Sequence, residues 1–278
     1  MILSPLGLLS EKPTALAVGS SHCVGCAHFS PLVRKPRFKD LQEFGAEIAR
    51  LKDVFGDELE RFALMGGEPL LHPDIIAFLE MSKQMLGNTQ IELVTNGILM
   101  AQLGDKFIDK LNELKVKLRF TDYGLSIDKS FLDKLELVQI EDRPKLFNIS
   151  LNLNGNCNPT CMYYHCPAVF KSWLGYVYSG CFMLRDGKLY QCGVGAYADD
   201  FERYFNFKFD ESLDDMGISI FTHSKEQIID FLTRPHEFCK YCNIFKLERT
   251  KVDFRCSERK IEEWVDVEFG MPATRGGG

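Results

Sequence analysis

Short apolar runs alternate with amphipathic stretches along the first half of the chain. Residues 15–18 form an apolar run of strand length. Leu41, Phe44, Ile48, Leu51 and Phe55 recur at the spacing that gathers side chains on one helical face. A second strand is expected over 61–65, running into Gly66-Gly67, and a helix over 74–86 with Pro73 at its start, where a missing amide costs nothing. A third strand (91–95) ends in Asn96-Gly97. A helix over 106–114 carries Phe107, Ile108, Leu111 and Leu114. A strand over 117–121, a short helix over 131–135 and a strand over 137–140 complete the series. Such alternation implies a parallel sheet with helical crossovers. These units are too few for a closed eightfold barrel, while an open, partial (β/α) barrel and a doubly wound sheet both fit. In either, ligands bind at the C-terminal ends of the strands.

Near residue 145 the texture changes. Asn152, Asn154, Gly155, Asn156, Asn158 and Pro159 predict a loop-rich entry to a second unit. A hairpin is expected over 177–190, with Asp186-Gly187 as its turn. A short helix is expected over 225–232, and the end of the chain, 274–278, is expected to be disordered. The division is 1–145 for the partial TIM-like (β/α) barrel, 146–262 for a small cysteine-bearing α+β domain and 263–278 for a tail.

The net charge of −6 argues against nucleic acid or another polyphosphate held by bulk charge. Residues 1–9 are apolar but broken by Pro5 and Gly7, with no basic residue before them, which fits neither a signal peptide nor a spanning helix. A cytoplasmic protein without membrane contact is the expectation. Its ten cysteines therefore point to metal or redox chemistry rather than a disulfide framework. Cys256 stands alone and reads as a small buried hydrophobe.

Three constellations carry chemistry. Met65-Gly66-Gly67-Glu68-Pro69 closes a strand, where paired glycines let backbone approach a ligand and a carboxylate can hold an ammonium group. A plain strand-to-helix turn is the other reading. His22-Cys23-Val24-Gly25-Cys26-Ala27-His28-Phe29 follows the strand at 15–18, and its two thiols can grip a metal or cluster. Cys181, Cys192, Cys239 and Cys242 form two further pairs that suit tetrahedral zinc or a 4Fe-4S cube. Cys157, Cys161 and Cys166 could hold a further cluster or equally be packed or incidental thiols; the latter reading is preferred, with Cys166 the best placed to join that second set. Tyr163, Tyr164, Phe201, Tyr204, Phe205, Phe207 and Phe209 read as packing, and His28 and His72 as hydrogen-bonded supports.

The order of these motifs resembles the radical S-adenosylmethionine (SAM) superfamily. In that family a Cys-x-x-x-Cys-x-x-Cys loop holds a 4Fe-4S cluster, and the cluster's remaining iron takes the amino and carboxylate groups of SAM. Reduction cleaves SAM to a deoxyadenosyl radical that removes hydrogen from a substrate. The resemblance implies cluster ligation by Cys23 and Cys26 and a SAM amine site at Gly66, Gly67 and Glu68. Thr95, Asn96, Thr121 and Asp122 are the implied further SAM contacts. The later cysteines resemble the auxiliary-cluster domains called SPASM and twitch, which implies one auxiliary 4Fe-4S cluster. A peptide substrate and a reductase or flavodoxin-like electron donor follow by the same analogy.

The sequence departs from the family at residue 19, where the first motif cysteine should fall and Gly19 stands. Ser20, His22 or a cysteine from elsewhere are the candidate substitutes. Gly25 occupies a position that is often aromatic in the family. Three readings follow: a radical SAM enzyme, a non-catalytic relative that binds SAM or a peptide, and a zinc-binding structural protein.

Overall fold

The computed structural model describes residues 23–33, 38–141, 146–148, 151–166, 182–210, 216–246, 251–253 and 255–266. The expected strand at 15–18, Gly19, Ser20, His22, Cys181 and the tail at 274–278 lie outside them. Helix α1 (Leu41–Phe55) starts at Asp40, whose Oδ1 accepts from the Gln42 and Glu43 amides at 2.8 and 3.0 Å. Strand β1 (Arg61–Leu64), helix α2 (Ile75–Leu86), strand β2 (Gln90–Thr95), helix α3 (Met100–Glu113), strand β3 (Lys117–Thr121) and strand β4 (Val138–Glu141) follow. Pro73 precedes the α2 cap at Asp74 rather than sitting in the first turn. Helix α3 starts earlier than expected and breaks at Gly104 (φ 70°), so the expected 106–114 segment is its second part. The expected helix at 131–135 is a 3-10 turn, Ser130–Lys134.

The four strands pair in parallel in the order β1-β2-β3-β4. Among the described strands that order has no reversal, so no switch point of a doubly wound fold occurs among them, and the order matches the wall of a partial barrel. Register separates its two faces. Phe62, Leu64, Ile91, Leu93, Leu118 and Phe120 share one face and a buried core with Phe44, Ile48 and Leu51 of α1 and Phe78 and Leu79 of α2. Ala63, Glu92, Arg119, Thr121, Gln139 and Glu141 take the opposite, mainly polar face.

The second half adds strand β5 (Leu146–Asn148), helix α4 (Pro159–His165), strands β6 (Met183–Arg185) and β7 (Lys188–Tyr190), helices α5 (Gly193–Ala196) and α6 (Ala198–Phe205), strand β8 (Gly217–Ser219), helix α7 (Lys225–Leu232) and strand β9 (Lys251–Asp253). Asp186 (φ 49°) and Gly187 (φ 71°) make the expected two-residue turn. Strand β8 adds a third member to that hairpin, and β5 pairs with β9. Leu184, Leu189, Ile218 and Ile220 extend the first core, and Arg50 of α1 donates to the Ile220 carbonyl at 2.7 Å and the His223 carbonyl at 3.0 Å.

A second core is aromatic. Phe29, Phe201, Phe209, Phe238, Tyr241 and Trp264 meet in it from loops and short helices far apart in sequence. Among the described residues, no helix is long and apolar enough to cross a membrane.

Candidate functional site

The Gly-Gly-Glu-Pro segment leaves β1 at the C-terminal edge of the parallel sheet. Glu68 there is buried, and its carboxylate is fixed by neighbours from the next strand. Oε1 accepts from the Thr95 hydroxyl at 2.7 Å and the Leu70 amide at 3.1 Å, and Oε2 from the Asn96 amide at 3.2 Å. Burial outweighs these bonds and pushes the carboxyl up to about 7. Thr95, Asn96 and Thr121 are likewise buried at their strand ends. Asp122 pairs with Lys129 at 2.5 Å and accepts from the Gly124 amide at 2.8 Å.

The Cys23–Cys26 turn and the start of the Gly-Gly-Glu-Pro segment both adjoin the aromatic core. Phe29 and Leu32 just beyond the turn enter that core, and Met65, just before Gly66, packs on it too. Gly25 has φ 61°, a conformation an L side chain rarely adopts, so the turn requires glycine where the family often has an aromatic. The Cys26 carbonyl accepts from the Phe29 amide at 2.9 Å and from the Trp264 indole N–H at 3.0 Å. His72 is a support, as expected. Its Nδ1 accepts from the Asp74 amide at 3.1 Å, which leaves Nε2 to donate to the Lys39 carbonyl at 3.2 Å. His28 lies against Gly193 and tilts over Tyr197, with ring centroids 5.2 Å apart.

Cys256 departs from expectation. It is exposed rather than buried, and it stands directly opposite Cys23 as an antiparallel bridge pair. The Val24 amide donates to the Arg255 carbonyl at 3.0 Å beside it. Opposed residues of such a pair project to one side, with Cβ atoms roughly 4.5–5.5 Å apart. Burial, then repulsion from Cys26 and from Cys256, raises the Cys23 thiol far above the usual thiol range. Sequence reading missed this thiol because its partner lies at the other end of the chain.

The second cysteine set gathers under the aromatic core. Cys192 caps α5, its sulfur accepting from the Gly195 amide at 3.4 Å, and burial pushes it up to about 12. Cys239 and Cys242 sit on a 3-10 turn and its cap, where the Cys242 amide donates to the Cys239 carbonyl at 3.0 Å. Burial raises both, Cys242 strongly, and repulsion from Cys166 adds to Cys192, Cys239 and Cys242 alike. Cys166 is thus brought to this set, and Cys157 also acts on Cys242. Among the described residues no cysteine is disulfide-bonded, and no three His, Cys, Asp or Glu are arranged to hold a single metal ion.

The polar face of the parallel sheet also escaped the sequence reading. Arg119 binds Glu92 at 3.2 Å and takes Glu141 on its Nε at 2.9 Å. Glu92 is fully buried, and its Oε1 has no partner among the described residues. Glu92 amid the apolar residues of β2 and Arg119 amid those of β3 were the available signal. A cleft of about 560 Å³ between β8 and α7, lined in part by His223, Gln227, Asp230 and Arg234, contains none of the expected site residues.

Residues 20–139 match the family model described as the radical SAM superfamily. The matched stretch holds Cys23, Cys26, Glu68, Thr95, Asn96, Thr121 and Asp122 and ends before the second cysteine set. Among solved structures, the chain is similar to BtrN in complex with AdoMet and 2-DOIA, at 15% identity and a TM-score of 0.42, covering 87% of this chain and 92% of that one. It is also similar to selenomethionine BtrN in an open conformation, at 16% identity and a TM-score of 0.40, covering 87% and 91%. No curated protein matches the chain.

Proposed function

We propose that this protein is a radical SAM enzyme in which Cys23 and Cys26 ligate a 4Fe-4S cluster beside a SAM site built on Gly66, Gly67 and Glu68. The carrying observation is Glu68: a buried carboxylate at a strand end, locked by Thr95 and the Asn96 amide, in the segment that matches the superfamily. A 4Fe-4S cluster, when bound, supplies the electron that cleaves SAM to a deoxyadenosyl radical. Glu68 accepts a hydrogen bond from the SAM ammonium and balances its charge. Gly66 and Gly67 let the backbone approach that group without a side chain in the way. Thr95 and Asn96 hold the carboxylate in place, while Thr121 and Asp122 extend the SAM contacts along the strand ends. Arg119, held between Glu92 and Glu141, presents a fixed cation on the polar face for orienting a substrate.

Cys181, Cys192, Cys239 and Cys242, joined by Cys166, are the ligand pool for one auxiliary 4Fe-4S cluster, with zinc as the alternative. The substrate class is a peptide and the electron donor a reductase or flavodoxin-like protein. The barrel comprises 1–145 and the auxiliary unit 146–262.

Anaerobic reconstitution with iron and sulfide, followed by a dithionite-driven assay for 5′-deoxyadenosine, tests this reading. Product is expected from the natural chain and absent in Cys23→Ala. Glu68→Gln should weaken SAM binding by roughly 10- to 100-fold, the worth of a hydrogen bond to a charged group. Zinc in place of iron and sulfide at the first site overturns the reading. Gly19 favours a second one, a relative that binds SAM without cleaving it, which predicts SAM binding but no product.

A further inference from the structure

The geometry points to Cys256 as the third protein ligand of the cluster assigned to Cys23 and Cys26, in place of the cysteine absent at residue 19. The inference rests on the radical SAM reading above. Each iron of a four-iron cube takes one outside ligand, and cysteine thiolates are the usual protein donors. The 23–26 turn supplies two. SAM takes one iron under that reading, so one iron still lacks a partner. Cys256 is the thiol that the backbone bridge sets on the same side as Cys23.

The segment presenting Cys256 is a built scaffold. Glu263, 3% exposed, accepts from Arg255 Nη1 at 3.0 Å and from the Glu258 amide at 2.7 Å, and the Ser257 hydroxyl donates to its other oxygen. These bonds bracket Cys256 on both sides. The next residue, Trp264, donates to the Cys26 carbonyl at 3.0 Å. One short segment thus carries the third thiol and fastens the turn that carries the other two. Cys256 is exposed and Cys23 and Cys26 half-buried, so iron can enter and each thiol can release its proton to solvent on ligation.

The test uses the full chain, reconstituted anaerobically, in three forms: natural, Cys256→Ala, and Cys256→Ala with Gly19→Cys. Iron and acid-labile sulfide per chain are measured, with electron paramagnetic resonance of the reduced protein before and after adding SAM. Cys256→Ala should lose about four irons per chain, one cube, together with the SAM-induced change in the spectrum. Gly19→Cys should restore both. A loss with natural circular dichroism and melting, or one restored by Gly19→Cys, supports the assignment. A loss with lowered melting temperature that Gly19→Cys leaves unrestored shows a structural role and overturns it. Natural iron content and SAM response in Cys256→Ala overturn it as well, leaving the enzyme reading intact. A natural chain with no SAM-responsive cluster fails the enzyme reading itself.

Discussion

Cys256 of the first set is exposed opposite the half-buried Cys23, whereas Cys192, Cys239 and Cys242 are all half-buried, among residues of the aromatic core. The first set joins residues 23 and 26 to residue 256 across the length of the chain. The second draws on a cap, a 3-10 turn and the end of α4, held together by rings. Access differs accordingly. A site that a co-substrate must enter and leave has to keep an open side. Crowded thiolates repel one another strongly unless a cation joins them, so the second set, with no exposed member among the described residues, suits a permanent, structural or electron-carrying centre.

The strongest way to break this contrast is to remove what both sets share. Phe201 is fully buried, 5.4 Å from Phe29 and 5.8 Å from Phe209 between ring centroids, and Phe209 is 4.8 Å from Tyr241. A line of rings therefore runs from the first cysteine turn to the second. Phe201→Ala should cost about 3–5 kcal/mol, as large-to-small changes in tight cores do. Chemical denaturation reads the cost. Iron at both sets should fall together, and loss at one set alone would show that the sets are held independently.

The parallel sheet was legible because burial on one face imposes a pattern on the sequence. Phe62, Leu64, Ile91, Leu93, Leu118 and Phe120 repeat every second residue and mark the helix-packed face. Glu68 was legible through its paired glycines and its place at a strand end. Helices α4 and α6 were not. Asn-rich text around residue 155 read as loop, although Asn158 accepting from the Cys161 amide, with Pro159 next, is a helix start. Strand β8 has three residues, too few for any alternation to show. Cys256 was illegible for another reason: its chemistry is set by a backbone pairing with Cys23 that no local pattern encodes.

A second, smaller effect separates the sets by pH. Glu68 titrates near 7 in the fold against 4.5 when exposed, and its three described partners are neutral. The folded chain binds this proton more tightly than the unfolded chain between those values. Stability from this group is therefore fully present below pH 4.5 and declines as pH rises to about 7. The loss is of order 3 kcal/mol, at 1.36 kcal/mol per unit. Stability of the natural chain and of Glu68→Gln should follow different pH slopes across that range, the difference accumulating to this amount. SAM binding should weaken as pH falls below 7, because the protonated carboxyl no longer balances an ammonium. Identical slopes would remove Glu68 from the ionisable groups of the site.

The finest probe loosens the first set while sparing the second. Trp264→Phe keeps a ring in the aromatic core, though a smaller one, and removes the indole N–H that reaches the Cys26 carbonyl. That carbonyl still accepts from the Phe29 amide at 2.9 Å, so it is not left bare. The cost should therefore be about 1–2 kcal/mol, roughly 1 for one neutral hydrogen bond and the rest for the smaller ring in the core. Its consequence is local: the Cys26 turn gains freedom relative to the segment that carries Cys256. Iron should leave the first set faster under a chelator, with the second set unchanged. An equal change at both sets would mean that Trp264 acts through the aromatic core rather than through Cys26. The contrast between an open, stitched site and a closed, packed one would then lose its structural basis at that residue.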